Sequence, residues 1–469
     1  MIGASADLSK FGGRFLKVLL SFGYAGKTYP VNPRENQILG LKTYSRVGDI
    51  PEPVDFASIT VPAQAVPEVV EECLAKGVKA VQVLTAGFRE ISEEGQKLEE
   101  QLTSIAAKGI RIIGPNCFGV YCPAGGQTIL PGEDFSRESG PVAFISQSGG
   151  YAVRVPRRAS GWGIRFSKVV SYGNACDVNE CDLLEYLSED AETRVITGYI
   201  EGVQDGPRFF KLLQEIAKTK PVILWKGGLT QGGARAVHSH TGSLGGEEAV
   251  WDAVFRQSSA IRVNSLEELL DTTLAFLHLA PYRGRKICPV GGGGGITVAA
   301  TDACERVGLS VPLFPTQLQK KLASMVPPVG TSVRNPVDVG SPFPLPAALR
   351  GVLEAVLTEG GVDAIIIDEI EMSISTPDMK EFGRNHGELT RVPVDVKKRL
   401  DKPVVMVLPV EAIGADALEF EGARRNICDY YLSQGIPVYL TLERAAKALA
   451  NLVGYYERRD AISSSDSGN

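Results

Sequence analysis

Two of the chain's four histidines stand two residues apart in the run Ala236-Val237-His238-Ser239-His240-Thr241-Gly242-Ser243. A neutral imidazole nitrogen is a competent nucleophile toward phosphorus. Small neighbours leave it exposed and let backbone donors surround a phosphoryl group. Taken alone, a histidine in such a loop is more often a structural or merely solvated residue than a nucleophile. Glu201 ends the apolar run Val195 to Ile200 and precedes Gly202. A carboxylate at a strand's carboxyl end accepts the second N–H of an imidazole, which fixes its tautomer and supports positive charge on the ring.

Three further patterns suit anions. Ile145-Ser146-Gln147-Ser148-Gly149-Gly150 takes an apolar strand into Ser and Gly before a helix, which makes either a cradle of free N–H groups and hydroxyls or simply a well-capped helix start. Gly3-Ala4-Ser5, with Lys10, Gly12 and Gly13, stands where a first strand hands over to a first helix, and small residues there let a phosphate approach the backbone. Its spacing is not G-x-G-x-x-G, so the dinucleotide fingerprint is missing and a nicotinamide-dependent dehydrogenase is disfavoured. The third pattern is a set of loops at strand ends: Val31-Asn32-Pro33-Arg34, Val61-Pro62-Ala63, Thr85-Ala86-Gly87 and Gly114-Pro115-Asn116-Cys117. Ligands of open α/β sheets bind outside the carboxyl ends of the strands. Each loop alone also reads as a tight turn or a helix cap.

The elements that must position these groups alternate. Val- and Ile-rich runs at Phe56–Val61, Ala80–Leu84, Ile110–Ile113, Val142–Ile145, Val195–Ile200 and Val222–Trp225 are each followed by a longer helical segment. A second series stands at Lys286–Val290, Ala364–Ile367 and Val404–Val407. Uninterrupted apolar runs suit parallel strands buried on both faces, and strand–helix alternation makes the chain α/β. At 469 residues, with breaks at the Pro/Gly-rich stretch Cys122 to Gly140 and at Pro281 to Lys286, three domains are expected, 1–127, 128–280 and 281–469. The Ser-rich end from Ser463 to Asn469 is expected to be disordered.

Hydrophobic residues make up 44% of the chain and charged residues 22%, and the net charge is −6, which argues against nucleic acid as a partner. No run is long and apolar enough to cross a bilayer, and Met1 to Gly13 lacks the pattern of a secretory signal. The eight cysteines show no zinc-type pairing, which with the missing export signal favours reduced thiols and a cytoplasmic location.

In these residues the chain resembles the α subunit of NDP-forming (ADP-forming) acyl-CoA synthetases, relatives of succinyl-CoA synthetase. The specific signal is Ser239-His240-Thr241-Gly242-Ser243, within Ala236 to Gly246 and with Asp252 to Gln257 downstream. It is supported by Ile200-Glu201-Gly202, Ser146-Gln147-Ser148-Gly149, Gly114-Pro115-Asn116-Cys117 and Asn335-Pro336-Val337-Asp338, all in family order. The resemblance implies a Rossmann-like CoA-binding domain followed by two flavodoxin-like, succinyl-CoA synthetase-like parallel-sheet domains. It makes His240 the phosphorylated histidine, with no role for His238, and makes Glu201 the carboxylate that orients it. Ser146, Ser148 and Gly149 become the phosphate cradle, with Asn116 nearby. Coenzyme A contacts fall to Gly3, Ser5, Lys10, Gly12, Asn32, Pro33, Val61, Pro62 and Thr85, with Arg34 at a CoA phosphate.

The implied activity is that of an acid–thiol ligase, in which acyl-CoA, phosphate and ADP interconvert with a carboxylic acid, CoA and ATP. No ATP-grasp module is found in the chain, so ADP/ATP and Mg²⁺ would be held by an ATP-grasp β subunit in an α2β2 hetero-oligomer. Two departures from the family pattern stand out. Met1 falls inside the first expected strand, so the residues usual upstream of the Gly3 turn are absent. Gly291 to Gly295 replaces a T-N-A/G-G-G-P-G-like loop. The competing readings are a non-catalytic CoA-binding or regulatory protein, disfavoured because His240 and Glu201 are both present, and an acyl-CoA-forming lyase, for which no residue is assignable.

Overall fold

The structure is a computed structural model that describes residues 1–128, 134–241, 247–340, 345–368, 386–410, 414 and 418–466. The chain forms two compact units, Met1–Leu266 and Glu267–Asn469. Besides the two-stranded antiparallel pair Gln37–Ile38 and Leu41–Lys42, the first holds two larger sheets among the described residues. In the smaller, Phe56–Ile59, Ala80–Val83 and Arg111–Ile113 run parallel. The expected first strand is reduced to single parallel bridges from Ile2 to Val31 and to Ile59. Ile2, Val31, Ile59, Val81, Val83 and Ile112 share one buried cluster behind the loops that carry the candidate residues.

The larger sheet has the strand order Ile261–Val263, Val222–Lys226, Val195–Ile200, Val142–Ser146, Phe166–Ser171, Gly119–Cys122 and Gln127–Thr128. The first five strands are parallel, Gly119–Cys122 runs antiparallel to Phe166–Ser171, and Gln127–Thr128 runs antiparallel to Gly119–Cys122. Every residue of Val142–Ser146 and Val195–Ile200 is buried, as expected of strands covered on both faces. Phe166–Ser171 was not legible as a strand because Ser and Lys interrupt its apolar pattern. Lys168 in that strand pairs with Asp190 at 2.7 Å. Residues 119–128, expected mostly within the first domain, add to the edge of this second sheet instead.

The second unit carries the order Ser332–Val333, Val337–Asp338, Ile287–Gly291, Ala364–Asp368, Val404–Val407 and Val438–Tyr439, parallel except for the first pair. The helix Leu266–Leu279, expected to close the preceding domain, is tied to this unit. Arg444 grips the buried carboxylate of Asp271 with two hydrogen bonds, of 2.6 and 2.7 Å. The polar end expected to be disordered continues the helix Leu442–Asp466 through Asp466, because its earlier turns are anchored in the core. No helix among the described residues is long and apolar enough to cross a membrane.

Candidate active site

The strand Val142–Ser146 has Phe166–Ser171 on one side and Val195–Ile200 on the other, so successive connections leave it in opposite directions. Such a reversal opens a crevice at the carboxyl ends of the strands, the usual ligand site of an open α/β sheet. Ser146-Gln147-Ser148 and Glu201 run into it. The Gln147 side-chain oxygen accepts the backbone N–H of Glu201 and, at 2.9 Å, that of Gly202. Both partners are donors, so the oxygen must face them and the amide NH2 turns away from them. Glu201 is 6% exposed, and its Oε2 is buried without a partner among the described residues. Leaving such an acceptor unpaired costs about 1–3 kcal/mol, so the site is built for a donor. The buried Lys226 amine donates to the Glu201 carbonyl at 2.8 Å and also to that of Gly227, and burial pushes it down to about 8.

Ser148 caps the helix Gly149–Ser160, its hydroxyl accepting the Tyr151 N–H at 3.4 Å. Ser146 is fully buried. Its hydroxyl donates to the Ser148 carbonyl at 2.7 Å and accepts the Ser148 N–H at 3.1 Å, so it shapes the turn from behind. Gly149 lies under the Phe118 ring, where a Cβ would come within 3.1 Å of it.

Ser148 and Gly149 line a cleft of about 650 Å³ together with Gln147, Val61, Pro62, Thr85 and Asn116. The loops of the smaller sheet are laced together. The Thr85 hydroxyl donates to the Val61 carbonyl at 2.7 Å, and the Asn116 N–H donates to the Thr85 carbonyl at 2.9 Å. Asn116 takes a left-handed φ of 57°, and its side-chain amide donates to Asn174 at 3.3 Å.

The remaining candidate residues form a neighbouring cluster and do not line this cleft. Asn32 donates to the Ala4 carbonyl at 2.7 Å and accepts the Arg34 N–H at 2.8 Å, which joins two of the predicted loops. The Ser5 hydroxyl accepts the Asp7 N–H at 3.1 Å. Gly3 has a φ of 83°, and a Cβ on Gly12 would lie 2.0 Å from the Gly3 carbonyl, so close backbone approach explains that glycine. Lys10, Pro33 and Arg34 are exposed. The helix Phe11–Phe22 starts without a side-chain cap, which leaves first-turn N–H groups for an outside acceptor, and Phe11 reaches the cleft. Two helix N-termini thus flank one cavity.

Beside it runs a groove of about 1030 Å³ lined by Arg14, Lys17, Arg154, Arg157 and Arg158, sharing Phe118 and Gly150 with the cleft. This basic groove was missed in the sequence, although the spacing of its cations on two helices was a usable sign.

The backbone of His240 lies in the last turn of the helix Gln231–Thr241, within the same compact unit. The side chains of His238 and His240 and the whole of Gly242 and Ser243 lie outside the described residues. In the second unit, Asn335 donates to the carbonyls of Ile287 and Pro312, and Asp338 accepts the Gly340 N–H at 2.9 Å, so this motif braces local structure. The Gly291–Gly295 run ends the strand Ile287–Gly291 and opens the helix Gly294–Arg306.

Comparison with known proteins decides the family. Residues 1–123 match the CoA binding domain, 139–276 the succinyl-CoA ligase like flavodoxin domain, and 287–457 the Ligase-CoA domain. The chain is 39% identical to the α subunit of acetate–CoA ligase [ADP-forming] I of Pyrococcus furiosus, over 96% of this chain and 94% of that one. It belongs to the ADP-forming acyl-CoA synthetase family, as an α-subunit type of chain. This synthetase chain is also 33% identical to the 4-hydroxybutyrate–CoA ligase [ADP-forming] of Nitrosopumilus maritimus, over 97% of its own length but only 62% of the relative's. Its fold matches the dinucleotide forming acetyl-coenzyme A synthetase 1 of Ca. Korarchaeum cryptofilum, solved with phosphate and ADP. That match has a TM-score of 0.84 and 32% identity, covering 99% and 96% of the two chains. As a member of an acid–thiol ligase family, the synthetase chain pairs CoA chemistry with a nucleoside diphosphate.

Proposed function

We propose that this chain performs the CoA and phosphohistidine steps of an ADP-forming acyl-CoA synthetase. The observation that carries the reading is Glu201, a buried carboxylate with one oxygen awaiting a donor, whose backbone N–H is held by Gln147, a residue that lines the cleft together with Ser148, Gly149 and the CoA-type loops. Phosphate attacks the thioester carbonyl, the C–S bond breaks, and the CoA sulfur leaves and takes up a proton. His240 then attacks phosphorus of the acyl phosphate and releases the carboxylic acid. ADP finally takes the phosphoryl group from the histidine, forming ATP. Glu201 accepts the other imidazole N–H, while Ser148, Gly149 and the NH2 of Gln147 offer donors to the anion. Ser146 holds the turn, and Asn116 borders the reacting end. These groups act by position and fixed charge.

The three-domain division, with boundaries near 127 and 280, belongs to the same proposal, as do the ATP-grasp β subunit holding ADP/ATP and Mg²⁺, the α2β2 assembly and the cytoplasmic location. The family models fall close to such a division. That the similar Pyrococcus chain is itself named an α subunit supports a separate partner.

CoA titrated calorimetrically into the purified chain should bind. Arg34→Ala should weaken CoA about fivefold at low salt, and dephospho-CoA less, because an exposed guanidinium on a phosphate contributes about 1 kcal/mol and is screened by ions. Absence of CoA binding by the wild type would defeat the reading.

A further inference from the structure

Lys226 ends the strand Val222–Lys226 and is 4% exposed, so it carries its amine where a charge is costly to hold. In the sheet it stands level with Ile200, one residue before Glu201. Its ammonium gives two of its three N–H groups to neutral carbonyls, that of Glu201 at 2.8 Å and that of Gly227. The Glu201 backbone is therefore held from both sides, its N–H by the Gln147 oxygen and its carbonyl by Lys226. The ammonium also lies over the Trp251 ring, 5.0 Å from the centroid, and a desolvated ammonium on an indole face is among the stronger cation–π contacts. Trp251 is buried in the first turn of the helix Glu248–Ser258, edge-on to Phe209 with ring centroids 5.9 Å apart. Glu248 and Asp252 of the same helix pair with Arg262 of the strand Ile261–Val263. In sequence, Lys226 and Trp251 bracket the Ser239–Ser243 motif. One amine thus joins Glu201 to both ends of the stretch that carries His240.

We propose that Lys226 is a positioning residue of the phosphoryl-transfer step: its charge holds Glu201 and Trp251 together and so sets where the His240 stretch meets the carboxylate. This rests on the synthetase reading above. Burial has the largest effect on the amine and pushes it down to about 8. The Glu201 carboxylate favours the ammonium and Arg262 opposes it, with Glu248 and Asp252 offsetting Arg262. The charge is therefore present at neutral pH and lost as the pH rises through that value.

The test mixes the full chain with Mg²⁺, γ-labelled ATP and an ATP-grasp partner proven active on another α subunit, and follows the rate of labelling from neutral to alkaline pH. In that step the bond from phosphorus to the ADP oxygen breaks, its electron pair staying on ADP, as the bond from phosphorus to the imidazole nitrogen forms. Lys226→Met, of similar length and uncharged, should label about tenfold more slowly than wild type at neutral pH. The ratio of the two rates should fall toward one above about pH 8, where the wild type has lost the charge. Trp251→Leu, which keeps the helix face apolar but removes the ring, should label about threefold more slowly. CoA affinity by calorimetry should match wild type in both. A rate ratio of one at neutral pH overturns the proposal. So does a ratio that stays constant as the pH rises, because a merely structural loss does not depend on that proton. Wild-type speed in Trp251→Leu overturns it too, as does loss of CoA affinity in both variants, since Lys226 would then hold the unit as a whole. If the wild type itself takes no label, the synthetase reading falls, and the proposal with it.

Discussion

His240→Ala, assayed with an ATP-grasp partner, an acid, CoA and ATP, is expected to lose turnover by at least about 10⁴-fold. The phosphoryl group must pass between an acyl carboxylate and a nucleotide, and a covalent stop on the imidazole is the proposed carrier. Alanine offers no nucleophile, and no other histidine stands in the matching motif. His278 is far from it in sequence, in the helix Leu266–Leu279, and burial pushes its imidazole down to about 4. The loss should appear in kcat, while CoA binding measured by calorimetry stays at the wild-type value, because the CoA-type loops lie elsewhere in the unit. Equal loss of CoA affinity would point to misfolding.

Glu201→Gln is expected to cost about 10³-fold in kcat with little change in thermal stability. Gln keeps the size and an acceptor oxygen, so the imidazole can still be oriented, but the negative charge that supports the positively charged phosphorylated ring is gone. The backbone of residue 201 should not move, because its N–H and that of Gly202 are both held by the Gln147 oxygen. Phosphohistidine formation followed in a single turnover should slow by the same factor as kcat. Were product release slowed instead, with phosphorylation at wild-type speed, Glu201 would not be the orienting carboxylate.

How much of this was legible in the sequence follows from where each interaction lives. Val195–Ile200 and Val404–Val407 could be read to the residue, because burial on both faces demands an unbroken apolar run that local composition displays. Phe166–Ser171 escaped because its Ser and Lys side chains find partners 22 to 26 residues away. Among the site residues, Ser148, Gly149, Thr85, Asn116, Val61 and Pro62 do meet in one cleft. Ser146 was read as a contact although it is fully buried, since nothing local distinguishes a hydroxyl facing out from one closing a turn. Gln147 stood in the Ser146 to Gly149 run but received no role of its own. Its place depends on backbone donors 54 and 55 residues along the chain, which only the pairing of two parallel strands brings near. Residues 119–128 and the helix Leu266–Leu279 are likewise held by long-range pairing that their own sequences do not announce.

The most direct test of the account is to look for the phosphorylated histidine. The chain, an ATP-grasp partner, Mg²⁺ and γ-labelled ATP are mixed without acid or CoA, and the label is followed on this chain. The account predicts about one phosphoryl group per chain, labile to acid and stable to alkali. It should lie on the peptide containing His240, be absent in His240→Ala, and be discharged by adding acid and CoA. With a partner proven active on another α subunit, absence of label on the wild type, or label that persists in His240→Ala, would contradict it.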